Sequence, residues 1–335
     1  LARKQDHIKA VLEDNLVERH QSGFEQIRLQ HRALPELNYD EIDTQVTFLG
    51  KTLSFPFLIS SMTGGHAGNL ADINRNLAIA AEANNVALAV GSQRIMFKEP
   101  NAAKSFEVRQ YAPNIPIIAN IGAVQLNYEL GLQHVKAAID VLEADALFLH
   151  LNPLQEIIQP EGDRNFSGLI DKVAKLNEQL DIPIILKEVG CGFSRADFEL
   201  GIKAGITWFD VAGRGGTSWS RIEAHRSEND LGIHFEDWGL TTVESLSIAR
   251  KFNDQIKTIS SGGLRNGTDI AKSVILGSQI CGVAAPLLEP AITSDEAVSL
   301  KIQQFHKEFQ STQFLLGMPD IRTMRGNSDL IIFNT

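Results

Sequence analysis

The length, composition and charge of this chain exclude several classes of protein. It has 335 residues, 43% of them hydrophobic and 21% charged, so it is neither disordered nor fibrous. A formal net charge of −10 at pH 7 argues against nucleic acid or an anionic membrane surface as a partner and, taken alone, against a phosphorylated ligand. Two cysteines without a CxxC pair, a charged N-terminal segment and no apolar stretch near the roughly 18 residues of a membrane span predict a cytoplasmic protein.

The first 55 residues precede the first predicted strand. We expect a helix at 6–20, followed by an extended stretch that closes the bottom of the fold or lies across its top. From residue 56 onward, short apolar runs of strand length recur between turn residues, as is typical of parallel strands buried on both faces. The eight runs are 56–62, 86–93, 115–122, 146–152, 182–190, 208–215, 257–263 and 279–286.

Segments with helical periodicity lie between these runs, at 69–84, 132–142, 166–180 and 242–252, and another follows at 295–309. Eight such units predict a TIM (β/α)8 barrel, and a doubly wound sheet is the alternative. We expect one domain over 1–335: an N-terminal extension (1–55), a barrel core (56–290) and a C-terminal helical tail (291–335). A polar insertion at about 219–239, after the sixth strand, has the profile of an active-site loop.

Polar residues are concentrated where the predicted strands end, which is the active-site edge of a TIM barrel. The loops SGGLRNG and GVAAP after strands seven and eight predict a phosphate site, since small residues expose backbone N–H groups at helix N-termini. Gly262 and Gly263 would otherwise only form a tight turn. Lys187 ends an apolar strand and is either a cation at the barrel mouth or the partner of Glu188 or another acid. Glu156 is a candidate Mg²⁺ ligand, or a helix N-terminal charge.

Together, the motifs of this sequence resemble the type 2 isopentenyl-diphosphate isomerases. The discriminating combination is RKxxH (Arg3, Lys4, His7) with HLNPLQE (150–156). The other motifs are MTGG (62–65), AVGSQR (89–94), KEVGCG (187–192), AGRGGTSW (212–219), DWG (237–239) and SGGLR (261–265). The resemblance covers residues 3 to 290. It implies an FMN-dependent barrel that interconverts isopentenyl and dimethylallyl diphosphate by a 1,3-allylic proton shift in isoprenoid biosynthesis. Reduced FMN would be the acid/base, with NADPH and Mg²⁺ required and a homo-oligomer, a tetramer or larger, as the assembly.

The resemblance also implies residue roles. Gln155, Lys187, His150 and Asn152 would be catalytic or shape the site, and Lys187 would stabilise the anionic reduced flavin. Glu156 would bind Mg²⁺. The FMN contacts would be Ser61, Met62, Thr63, Ser92, Asn120, Lys187, Thr217, Gly262, Gly263, Ala284 and Ala285. The substrate contacts would be Arg3, Lys4, His7, Arg94, Gln155 and Trp219.

Two other functions remain open at this point. One is an FMN oxidoreductase of the hydroxy-acid oxidase or inosine-monophosphate-dehydrogenase type. The dehydrogenase needs a catalytic Cys, for which Cys191 is poorly placed, and the oxidase needs a His near Arg265, which SGGLRNG lacks. The other is a non-catalytic flavin- or phosphate-binding scaffold, which would not need to retain Gln155, Glu156 and Lys187 together.

Overall fold

The structure is a computed structural model that describes residues 11, 13–62, 70–225 and 230–332. The strands among them are β1 (Arg28–Leu29), β2 (Val46–Phe48), β3 (Lys51–Leu53), β4 (Phe57–Ile59), β5 (Ala87–Ala89), β6 (Ile117–Gly122), β7 (Ala146–Leu151), β8 (Ile184–Glu188), β9 (Trp208–Asp210), β10 (Lys257–Ser260), β11 (Ile280–Val283) and β12 (Ile331–Ile332). Strands β4 to β11 form a closed parallel barrel, with β11 paired to β4. The predicted TIM barrel is therefore confirmed.

Each of the eight predicted apolar runs contains one barrel strand. The hydrogen-bonded strands are shorter than the runs: the run 208–215, for example, contains a strand only at Trp208–Asp210. Beyond this strand, the N–H groups of Val211 and Gly213 still donate to the carbonyls of Ile259 and Ser261, and the loop over the barrel mouth follows. The strands are buried on both faces: the Phe148 ring lies inside the barrel, 5.3 Å from Lys187 Nζ, whereas the Phe209 ring packs outward against Phe193 and Phe198. A barrel filled in this way binds its ligands at the C-terminal edge of the strands.

α-Helices surround the barrel and connect each strand to the next, except that 3-10 helices connect β5 to β6. The α-helices are α1 (Leu70–Ala83), α2 (Leu132–Leu142), α3 (Pro153–Ile158), α4 (Leu169–Asn177), α5 (Arg195–Lys203), α6 (Trp219–Ala224), α7 (Leu231–His234), α8 (Thr242–Ala249), α9 (Gly267–Ile275), α10 (Ala285–Thr293), α11 (Asp295–Leu316) and α12 (Ile321–Met324). Short 3-10 helices lie at Asn15–Val17, Phe24–Gln26, Tyr39–Glu41, Gln93–Phe97, Pro100–Phe106, Arg109–Tyr111, Ala123–Asn127, Arg250–Phe252 and Ser328–Leu330. None of the helices in the described part of the chain has both the length and the apolar character of a membrane span.

The helices predicted between and after the barrel strands are present, the one at 132–142 with its predicted bounds and the others with shifted ends. Helix α1 buries Leu70, Ile73 and Leu77 on one face, as its periodicity predicts. Helix α11 continues seven residues beyond the predicted end at Phe309, because Gly317 with φ +68° is the first residue to leave the helical conformation. The predicted insertion loop contains two short helices, α6 and α7.

The N-terminal segment covers both ends of the barrel. Strands β2 and β3 form a hairpin at the bottom, where the Phe48 ring lies edge-on to the Trp208 ring at 5.3 Å. At the mouth, Arg19 N–H donates to the Gly216 carbonyl and Ser218 N–H donates to the Val17 carbonyl. The predicted helix at 6–20 is wrong from residue 14 onward: after one 3-10 turn at Asn15–Val17, the backbone bonds to the barrel mouth.

Asp14 anchors this segment to α6. Its carboxylate accepts hydrogen bonds from Arg221 at 2.6 Å and His225 at 2.7 Å. Burial opposes ionisation, but these bonds dominate and lower the pKa of Asp14 to about 2.

Candidate functional site

A cavity of about 400 Å³ lies at the C-terminal ends of the barrel strands. Its volume falls in the roughly 300–1,000 Å³ range of small-molecule sites. Every predicted site residue that the structure describes lines it: Ser61, Met62, Ser92, Arg94, Asn120, His150, Asn152, Gln155, Glu156, Lys187, Thr217, Trp219, Gly262, Gly263, Ala284 and Ala285. The predicted residues Arg3, Lys4, His7 and Thr63 lie outside the described residues.

Lys187 extends from the end of β8 into a buried ion pair. Its Nζ lies 2.7 Å from Asp210 Oδ2 and 3.2 Å from Ser261 Oγ. Asp210 is on the neighbouring strand β9, opposite Lys187 in the parallel register. The partner of Lys187 is therefore Asp210. Glu188 instead accepts the backbone N–H groups of residues 189, 191 and 192.

Asn120 is held at the end of β6 from three sides. Its Nδ2 donates to Ser61 Oγ at 2.8 Å, its backbone N–H donates to Gln93 Oε1 at 3.0 Å, and His150 Nδ1 lies 2.7 Å from its Oδ1. These bonds connect β4, β6 and β7. A ligand in the cavity therefore meets a preorganised polar wall.

A second polar cluster follows β7. Asn152 Nδ2 donates to Gln155 Oε1 and to Glu156 Oε1, each at 2.9 Å. Gln155 Nε2 donates to Glu223 Oε1 at 2.8 Å, which fixes the Gln155 amide against α6. Glu223 is fully buried and also accepts a hydrogen bond from Gln159 Nε2 at 2.8 Å. The structure thus joins the 150–156 motif to the insertion after β9.

Asp163 joins this cluster to Arg94. Its backbone N–H donates to Glu156 Oε2 at 2.7 Å, and its carboxylate accepts hydrogen bonds from Arg94 Nη1 and Gln125 Nε2, each at 2.8 Å. Among the described residues, Arg94 Nε, Gln125 Oε1 and Asn152 Oδ1 are buried without a hydrogen-bond partner. Buried polar atoms are costly unless satisfied, so these three atoms indicate that a polar ligand completes the site.

The loops after β10 and β11 have the shape predicted for a phosphate site. Gly262 and Gly263 adopt φ values of +96° and +88°, which side-chain-bearing residues rarely adopt. Helix α9 follows the first loop, and α10 follows the second without a side-chain cap at Ala284. Pro286 has no N–H and Leu287 N–H donates to the Ala284 carbonyl at 2.9 Å, so the Ala285 N–H is the group at this helix start without a partner within the helix. Thr217, opposite these loops, donates its hydroxyl to Glu18 at 2.6 Å, and Arg265 pairs with the same carboxylate.

The residues present fit both groups that the sequence implies. Peptide N–H groups, a buried cation and an amide at the wall are suited to the phosphate and ring of FMN. For Mg²⁺, the cluster offers the Glu156 carboxylate and the unpartnered Asn152 Oδ1. In the part of the chain that is described, no three His, Cys, Asp or Glu side chains form a metal-binding group. A site with only one or two protein carboxylates is nevertheless suitable for Mg²⁺, because this ion takes its other ligands from water and substrate phosphates.

The sequence did not identify four residues that shape this site. They are Asp210, Glu223, Asp163 and Glu18. The position of Asp210 opposite Lys187 depends on strand register, although an acid within a predicted buried strand was a usable signal. The others follow from loop geometry, which the sequence pattern does not specify.

A family profile described as FMN-dependent dehydrogenase matches residues 4–108 and 132–330. An isopentenyl-diphosphate delta-isomerase of Hydrogenovibrio crunogenus is 58% identical over 98% of this chain and 97% of its own. The protein of the same name from Paracoccus zeaxanthinifaciens is 55% identical over 98% of this chain and 96% of its own.

Solved structures share the fold at much lower identity. A flavocytochrome b2 variant with sulfite bound has a TM-score of 0.71 at 17% identity, over 98% of this chain and 83% of that one. A mandelate oxidase variant with 2-hydroxy-phenylacetamide has a TM-score of 0.63 at 17% identity, over 97% of this chain and 92% of that one. At this identity the likeness concerns the fold alone. The profile and the near full-length relatives show more: this chain belongs to the FMN-dependent dehydrogenase family and, within it, to the FMN-dependent type 2 isopentenyl-diphosphate delta-isomerases.

Proposed function

We propose that this protein interconverts isopentenyl diphosphate and dimethylallyl diphosphate by a 1,3-allylic proton shift in isoprenoid biosynthesis, using reduced FMN, NADPH as its reductant, and Mg²⁺. The observation that carries the proposal is the junction of the 150–156 motif with Lys187 and Glu223 around one partly apolar cavity. The names of its relatives support the same activity.

The proposed FMN site extends across the cavity from the Lys187 side to the β10 and β11 loops. When bound, reduced FMN would supply the electron-rich acid/base group for the proton shift. Ser61, Met62, Thr63, Ser92 and Asn120 would hold the ring and ribityl chain, and Thr217, Gly262, Gly263, Ala284 and Ala285 would hold the phosphate. Lys187, buried beside Asp210, would place its positive charge near the anionic part of the ring.

Gln155 is proposed to orient the reacting carbons. Its amide is held at both ends, by Asn152 through Oε1 and by Glu223 through Nε2, so it costs no reorganisation when the substrate arrives. His150 and Asn152 would shape the wall beside it. Met62, Ile95 and Trp219 line the same cavity and would give the hydrocarbon part of the substrate an apolar surface without an attacking nucleophile.

The diphosphate would be bound by cations and one metal ion. Arg3, Lys4, His7 and Arg94 are the proposed cationic contacts, and Glu156 the proposed Mg²⁺ ligand. Arg94 supports this assignment because Asp163 fixes its Nη1 while its Nε has no partner among the described residues. A charged end held at the rim would leave the alkene at the flavin.

An FMN-dependent hydroxy-acid dehydrogenase is the second candidate, favoured by the matching family profile. That chemistry needs a His beside Arg265 to remove the hydroxyl proton. Arg265 instead pairs with Glu18 and donates to the Leu264 carbonyl. A thiol nucleophile is also disfavoured, because burial raises the pKa of Cys191 far above its ordinary range.

One assay separates these functions. The protein is incubated without oxygen with FMN, NADPH, Mg²⁺ and isopentenyl diphosphate, and in parallel with a 2-hydroxy acid. We expect dimethylallyl diphosphate with NADPH used only to reduce the flavin, and no oxidation of the hydroxy acid. Consumption of NADPH or hydroxy acid in proportion to product would refute the isomerase assignment.

A further inference from the structure

Three side chains at the floor of the cavity form a closed ring of hydrogen bonds. Lys187 Nζ lies 2.7 Å from Asp210 Oδ2 and 3.2 Å from Ser261 Oγ, and Ser261 Oγ donates to Asp210 Oδ1 at 2.5 Å. The Asp210 side chain is completely buried and that of Lys187 is 8% exposed. The ring spans β8, β9 and the loop after β10, so these three elements fix it independently.

The proton count of this ring leaves one donor for the cavity. An ammonium group has three N–H donors and no acceptor. Two of those of Lys187 go to Asp210 and Ser261, and the hydroxyl proton of Ser261 goes to the second oxygen of Asp210. The third N–H of Lys187 remains, and Lys187 and Ser261 line the cavity whereas Asp210 does not.

We propose that Asp210 is a positioning residue that keeps Lys187 charged and directs its third N–H at the ring of bound FMN. This inference rests on the proposed use of FMN and extends it to a residue that touches neither cofactor nor substrate. Asp210 would act on the reaction only through Lys187.

The physical reason is the cost of burying an unpaired charge. A lysine in an apolar interior loses its proton near or below neutral pH unless a counter-charge is present. Lys187 has the Phe148 ring on one side, with Nζ 5.3 Å from the centroid, which supplies only a weak attraction. Asp210 supplies the full counter-charge, so the pair is already formed when an anionic ring binds.

The other ionisable groups on the elements around Lys187 have environments or partners of their own. On β7, His150 lies opposite Lys187 and bonds to Asn120. On β8, burial raises the pKa of Glu188 to about 8, although backbone N–H groups bind its carboxylate. On β11, burial raises the pKa of Cys281 to about 12. Arg265, at the cavity wall after β10, pairs with Glu18. None of these groups bonds directly to Lys187 Nζ.

The first test measures the charge of Lys187 in the protein with and without FMN. Lysine labelled at Cε with ¹³C reports the ammonium by NMR, and Lys187→Met identifies its signal. In the wild-type protein we expect the signal to have the chemical shift of the charged form at neutral pH. In Asp210→Asn, which keeps the shape but removes the charge, it should change between about pH 6 and pH 9. An unchanged titration in Asp210→Asn would overturn the proposal.

The second test measures the affinity for reduced FMN as a function of pH, without oxygen. In Asp210→Asn, the plot of affinity against pH should show an inflection where Lys187 loses its proton. Above that pH the variant should bind reduced FMN about 10- to 100-fold less tightly than wild type, and below it at least as tightly. In Asp210→Asn with Lys187→Met this inflection should vanish, whereas a titration of Glu188 would appear in every variant. An inflection that persists in the double variant would refute the proposal.

Ser261→Ala is the matched variant, because it opens the ring without altering charge. It should bind reduced FMN more weakly, by about threefold to tenfold, at every pH without a new inflection. This variant also keeps the proposal testable if Asp210→Asn fails to fold. A new inflection in Ser261→Ala, or an unchanged affinity for reduced FMN, would contradict the proposed role of the Lys187–Asp210–Ser261 hydrogen bonds. These readouts do not depend on isomerase turnover, so they remain interpretable if the proposed substrate is wrong.

Discussion

Gly263→Ala should damage the proposed phosphate loop by steric overlap. Gly263 has φ +88°, and an added Cβ would lie 2.5 Å from the Gly215 carbonyl oxygen and 2.8 Å from Ser22 Cβ. The left-handed conformation costs about 1–2 kcal/mol for alanine. The overlap adds about 1–3 kcal/mol, because a backbone atom must shift. We therefore expect a total loss of about 2–5 kcal/mol in the free energy of unfolding.

The same shift should weaken FMN binding. Gly215 lies two residues before Thr217, so moving its carbonyl displaces the loop opposite the phosphate site. Loss of one hydrogen bond to a charged group is worth about 1.5–3 kcal/mol, which corresponds to about 10- to 100-fold in FMN affinity. The assay is a titration of FMN by quenching of its fluorescence, together with thermal unfolding of the protein without FMN.

Gly50→Ala is the matched control. Gly50 lies in the β2–β3 turn with φ +78°, and no described atom would lie within 4 Å of its Cβ. It should lose about 1–2 kcal/mol from the backbone conformation alone and retain wild-type FMN affinity. The reasoning is refuted if Gly263→Ala binds FMN within twofold of wild type, or if the two variants lose equal stability.

Three other substitutions test the polar groups and the N-terminal anchor. Glu223→Gln should lower kcat about 10- to 100-fold at unchanged FMN affinity, because the Gln155 amide loses its charged acceptor; steady-state kinetics measure this. Glu156→Gln should raise the Mg²⁺ concentration for half-maximal activity at least about tenfold and leave FMN bound, because an amide replaces the carboxylate. Asp14→Asn should lower the melting temperature above about pH 4; since the folded pKa of about 2 lies below the ordinary value, this difference should disappear as pH falls toward 2.

Each of these has a control. Gln159→Leu removes the other amide from the same Glu223 oxygen, and kcat should stay within about threefold of wild type. Glu161→Gln changes an exposed acid in the loop that follows α3, the helix of Glu156, and should not alter Mg²⁺ dependence. Asp72→Asn breaks an exposed ion pair with Arg75 and should hardly change the melting temperature. Equal effects in a variant and its control would contradict the assigned contact.

The sequence by itself determined the barrel and the residues at its mouth. Buried parallel strands require continuous apolar runs, and the edge where they end is the only place where a filled barrel can accept polar groups. Ser61, Asn120, His150 and Lys187 could therefore be selected from position alone. Their presence around one cavity follows from the closure of the sheet.

Only the tertiary structure decided which of these side chains act together. Lys187 pairs with Asp210 because parallel register places them opposite each other across β8 and β9, not because of their separation in the sequence. Gln155 meets Glu223 because α6 folds back over the mouth. The N-terminal segment is likewise not α-helical from Asp14 onward, because tertiary contacts outweigh its local helix propensity. Apolar periodicity is a local property and can be read from the sequence. The pairing of polar groups depends on distances that exist only once the chain has folded.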